Sequence, residues 1–140
     1  MSLLILDDQL DRKLVQRPLQ RWITCQVLHD LRPDELILDD RVPEILLTLA
    51  KPTFVTIDQG FWHRQWCHPG YSILYFALRN DQQGKLPGML RSLLHLTEFR
   101  TRASRMGKVA RVSADAIDYW QHDMDGIKQI SWSPGRRKKA

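Results

Sequence analysis

Apolar positions along the chain come in short runs closed by polar residues. Leu3 to Leu6 is a continuous apolar run ending at Asp7 and Asp8, the pattern of a strand buried on both faces. Leu10, Leu14 and Val15 then recur at helical spacing, and Pro18 limits or kinks that helix. Ile23 to Leu28 predicts a second strand, and Leu31 to Leu38 a loop with a short turn. Val42, Ile45, Leu46 and Leu49 repeat at intervals of three and four, an amphipathic helix with Asp40 as its N-cap and Pro43 in its first turn. Lys51-Pro52 closes it. Thr53 to Ile57 is β-branched and aromatic and predicts a strand ending at Asp58. Tyr71 to Leu78 predicts another. Pro87 opens a helix with Leu90, Leu93, Leu94 and Thr97 on one face and Gly107 as its stop. Val109 to Val112 and Ile127 to Trp132 are two further short strands.

Strands alternating with helices indicate an α/β fold, a compact three-layer α/β/α sandwich with a mostly parallel central sheet. The chain has 140 residues, which suits one domain. We place that domain at 1–132 and a basic, disordered tail at 133–140, where Ser133-Pro134-Gly135 precedes four cations. The only cysteines, Cys25 and Cys67, form no disulfide framework and suit a reducing cytoplasm. No apolar run reaches the roughly 20 residues of a membrane helix, so no membrane association is expected.

Charge is unevenly distributed. Residues 1–90 carry 10 Lys/Arg and 11 Asp/Glu, whereas residues 91–140 carry 11 and 5. The basic second half implies an anionic partner or, more simply, a solvated basic surface. Its densest segment runs from Glu98 to Arg111. Arg91, Arg102, Arg105 and Lys108 are candidate phosphate contacts for RNA. The alternative is a solvated helix face with Glu98–Arg102 pairing.

In parallel sheets, ligands gather at the carboxyl ends of the strands. Asp7 and Asp8 end the first strand and Asp58 the central one, while Asp39 and Asp40 open the helix leading into it. Hard carboxylate oxygens so placed suit Mg²⁺ or Mn²⁺, which activates water and offsets charge in phosphodiester cleavage. Each acid also has a structural explanation: Asp8 and Asp40 as helix caps, Asp58 as a strand terminator.

Three blocks resemble the PIN-like family. Leu3-Leu4-Ile5-Leu6-Asp7-Asp8-Gln9-Leu10 looks like its "LLLDENL" opening. Asp39-Asp40-Arg41-Val42-Pro43-Glu44-Ile45-Leu46 resembles its acid-led helix, and Phe54 to Phe61 its "T-x-D-x-D-F" strand end. The blocks keep the family's order over residues 3 to 61. The resemblance implies a metal-dependent endoribonuclease, often the toxin of a toxin–antitoxin pair, so an antitoxin protein and a homodimer are expected partners. It also implies catalytic and metal-ligating roles for Asp7, Asp39 and Asp58, with Asp8 and Asp40 as helping ligands. Gly60 stands where the family has its second acid of that block. A complete pocket would then need Asp8, Asp40 or Asp81. The alternative is a weak or inactive PIN-like module that binds RNA or a protein; a third reading is an unrelated flavodoxin-like interaction domain.

His63, Cys67 and His68 have partial zinc-ligand spacing, but no second cluster completes a tetrahedron. Cys67 beside a histidine has the residue types of a nucleophile and its base, but adjacent residues on an extended chain point apart. A loop packed by Trp62 and Trp66, rimming the site after Asp58, is the simpler expectation.

Overall fold

The structure is a computed structural model and describes residues 3–132. The basic tail expected at 133–140 lies outside the described residues. Seven strands form one sheet: β1 (Leu3–Leu6), β2 (Thr24–Val27), β3 (Thr53–Thr56), β4 (Ser72–Phe76), β5 (Lys108–Val112), β6 (Ala116–Gln121) and β7 (Lys128–Ser131). Their order is β2-β1-β3-β4-β5-β6-β7. The first five are parallel. The last two add antiparallel.

Side-chain alternation divides the strands between two cores. Leu4, Leu6, Val55, Leu74 and Phe76 point to one face. There they meet Val15 and Leu19, from α1 (Arg17–Gln20) and the turn before it, and Leu86 and Leu90 from α4 (Leu86–Leu93). Ile5, Phe54, Ile73 and Val109 point to the other face. Their partners are Leu28 from α2 (Leu28–Leu31) and Val42, Ile45 and Leu46 from α3 (Val42–Leu46). The expected α/β class, mostly parallel sheet and layering on both faces are present.

Several elements differ from expectation. The first helix begins as a π-turn, Arg12–Gln16, capped by Asp11, whose carboxylate accepts from the amides of Lys13 and Leu14. The wide turn precedes Pro18, which has no N–H to give an ordinary i−4 bond. Asp40 is not an N-cap. Asp39–Arg41 is a 3-10 turn running into α3, and Leu38 holds the cap position without a side-chain bond. The helix opened by Pro87 ends at Leu93, not Gly107. Thr97 falls where its apolar stripe needs a hydrophobe and is exposed. The chain turns instead to bury Phe99, and Thr101 and Ser104 form a capping box that starts α5 (Arg102–Arg105). The strand β6 was not anticipated.

Candidate active site

The chain leaves β1 toward β2 on one side and returns on the other to form β3, so the strand order reverses between β1 and β3. A crevice outside the carboxyl ends at such a point is the usual ligand position in open α/β sheets. Asp7 follows β1 there, and its amide donates to the Val55 carbonyl at 2.9 Å, extending the ladder by one residue. Asp58 follows β3 by two residues. The buried Thr56 joins the two. Its hydroxyl donates to Asp7 Oδ2 at 2.6 Å and accepts the Asp58 amide at 2.9 Å.

Asp58 caps the 3-10 turn Gln59–Phe61, with Oδ1 accepting the Gly60 amide at 2.9 Å. Asp39 approaches the same place from the turn before α3. A Cβ built on Gly60 would stand 3.2 Å from Asp58 Oδ1 and 3.8 Å from Asp39 Oδ2. Both carboxylates therefore come close to the bare face of Gly60, where a side chain would press on Asp58. Burial raises the Asp39 carboxyl above its ordinary value, and the charges of Asp58 and Asp40 raise it further. Burial likewise raises Asp7, against the lowering effect of the Thr56 and Gln9 hydrogen bonds.

The other expected ligands are placed differently. Asp8 Oδ1 accepts the His29 amide at 2.7 Å, so it caps the start of α2 from the neighbouring strand end. Asp40 is exposed on the 3-10 turn, where it contributes charge beside Asp39. Asp81 pairs with Arg79 at 3.0 Å and does not fill the role left by Gly60. Among the described residues, no three His, Cys, Asp or Glu side chains form a group able to hold a metal by themselves. The Asp39–Asp58 pair fits a less demanding requirement: Mg²⁺ commonly takes one or two protein carboxylates, keeps waters and completes its shell with phosphate oxygens.

The loop after Asp58 is packed by aromatics, as expected. Trp66 Nε1 donates to the Gly60 carbonyl at 2.9 Å and its ring packs on Phe61, while Trp62 stacks on Trp120 at 4.0 Å. His68 is occupied: Nδ1 accepts the Gly70 amide and the ring stacks on Tyr71. Burial pushes the Cys67 thiol up, away from the thiolate a nucleophile needs.

The cations expected to hold RNA lie elsewhere. Thr24, Leu3, Thr53, Ser72 and Lys108 start their strands at the amino edge, opposite the acids. Four to five residues of strand separate the edges, about 13–17 Å at the strand rise. Arg105 is 1% exposed and donates to Thr53 Oγ1 and the Phe99 carbonyl. Burial lowers its pKa to about 10. Lys108 is also buried, with Nζ on the Ser104 carbonyl at 2.5 Å and close to the Phe99 and Tyr119 rings. Both are structural cations, which corrects their assignment as phosphate contacts. Arg91 is exposed and Arg102 half-buried. Comparison of the chain with protein-family models, with curated proteins and with solved structures finds no match in any of the three.

Proposed function

We propose that the β1/β3 crevice takes a divalent cation, Mg²⁺ or Mn²⁺, on Asp39 and Asp58, and that the chain is a metal-dependent endoribonuclease. The observation that carries this reading is the meeting of these two carboxylates around Gly60 at the switch point of the sheet. Bound there, the cation supplies Lewis-acid stabilisation of the phosphate and a more acidic water. Asp58 is oriented by the Thr56 and Gly60 bonds to its amide and carboxylate. Asp7 holds the Thr56 hydroxyl that in turn accepts the Asp58 amide, and its carboxyl, raised by burial, is the base we assign to the attacking water. The toxin role implied by the resemblance is a separate proposal. It predicts growth arrest on expression, relieved by a co-expressed neighbouring gene product.

Cleavage of single-stranded RNA in Mn²⁺ tests the reading. Asp58→Asn, folded by circular dichroism, is expected to lose at least about tenfold in rate, the loss commonly seen even for outer-shell partners of a metal. A folded mutant with undiminished activity overturns the assignment. A second reading is supported by the lack of a three-ligand group among the described residues: a module that binds RNA or a protein without turnover. Calorimetric titration separates the two, since RNA binding with neither Mn²⁺ uptake nor cleavage favours the module.

A further inference from the structure

A concave surface lies at the amino edge of the sheet, away from the carboxylates. A cavity of about 480 Å³ is lined there by residues including Trp22, Ile23, Arg91, His95, Arg100 and Arg105. Two shallower recesses continue it around Trp22 and Arg21. No Asp or Glu borders any of the three. Among the described residues, Arg21, Arg91 and Arg100 pair with no carboxylate. The Arg91 guanidinium lies 5.4 Å from the centre of the Trp22 ring. The Arg91 carbonyl is 2.7 Å from His95 Nδ1, which fixes the imidazole to the end of α4. The buried side chain of Arg105, anchored on Thr53 and Phe99, adds a third guanidinium to the cavity wall.

Cations that no carboxylate neutralises attract an anion placed between them, and no ion pair has to break to admit it. Arginine is weakly hydrated and its planar fork matches phosphate oxygens. Trp22, 36% exposed and bordering all three recesses, offers a flat aromatic surface of the kind on which bases stack. The cavity falls within the usual size range of small-molecule sites, roughly 300–1,000 Å³. We propose that this amino-edge cavity binds the base-and-phosphate unit of a nucleotide, with the base against Trp22 and the phosphate on Arg91 and Arg100. A free mononucleotide and the 5′-phosphorylated end of a single-stranded RNA share that chemistry. The site does not depend on the carboxylate edge, because it needs neither metal nor cleavage.

Metal-free calorimetry of the full chain with adenosine monophosphate, inorganic phosphate and 5′-phosphorylated penta-adenylate tests the proposal. Saturable nucleotide binding is expected, with Arg91→Ala and Arg100→Ala each weakening it on the order of tenfold, the size of one charge-assisted hydrogen bond. Trp22→Leu is expected to weaken the mononucleotide while leaving inorganic phosphate unchanged. Arg91→Lys, which keeps the charge, is expected to retain more affinity than Arg91→Ala. Tighter binding of the pentamer identifies an RNA end as the natural source, and equal binding the free nucleotide; both support the cavity. Lack of saturable binding by either nucleotide ligand overturns it. So does affinity unchanged in both alanine variants, once melting curves show them folded.

Discussion

The hydroxyl of Thr56 donates to Asp7 and accepts from the Asp58 amide, so one buried side chain ties two acids together. The family-like blocks include Thr56 as the threonine before Asp58, but the sequence assigns it no bond to Asp7. Its role follows from β1 and β3 being neighbours in register, with Leu6 opposite Val55. Asp7 carries a testable pH signature. Burial raises its carboxyl above the ordinary 3.8, so the fold favours the neutral form. Its stabilising contribution is complete below pH 3.8 and is lost as pH rises through the raised value. Asp7→Asn cannot ionise, so its Tm relative to wild type is expected to increase from pH 3 to pH 7 in calorimetric scans. A relative Tm that falls over that range reverses the sign and removes the desolvation argument.

Among the elements, β5 depends on one residue at its start. Gly107 has φ +83°, donates its amide to the Tyr71 carbonyl and accepts the His122 amide, each at 2.9 Å. It thereby joins the start of β4, the start of β5 and the end of β6. A Cβ there would collide with the His122 ring and lie 2.8 Å from Gln121 Nε2. Gly107→Ala is expected to destabilise the chain by about 2 kcal/mol, from strain plus displaced contacts. Urea unfolding measures it, and a change below about 0.5 kcal/mol would refute it. Gly107 was expected to stop a helix, whereas it starts a strand. A glycine signals positive φ, but its neighbours decide which element uses it. The strand β6 carries an alternating signature: buried Ile117 and Tyr119 alternate with half-buried Ala116, Asp118 and Trp120. Its mixed polarity reflects a position near the sheet edge, where one face is less covered than in β3 or β4.

Across the whole molecule, Asp39 and Asp58 meet beside Gly60 near the carboxyl edge of the sheet, while Arg21, Arg91 and Arg100 border recesses at its amino edge, whichever half of the chain supplies them. The basic surplus of residues 91–140 is partly consumed inside: Arg105 and Lys108 bond internal carbonyls. Arg91 and Arg100 join Arg21, from the front half, around the amino-edge recesses. If three such cations meet phosphates, the slope of log affinity against log salt for single-stranded RNA should be about −2. Fluorescence anisotropy over a salt series measures it, and a slope near zero would exclude phosphate contacts at this surface. The α/β class, six of the seven strands and the candidacy of Asp7, Asp39 and Asp58 are legible in the chain alone, because apolar alternation and acids at the ends of strands or starts of helices are local properties. Tertiary structure decided which acids meet. Strand order and the turn before α3 bring Asp39 to Asp58, while Asp8 is spent on the amide of His29. It also decided which arginines face solvent, since burial and the choice between carbonyl and phosphate partners depend on residues far away in the chain.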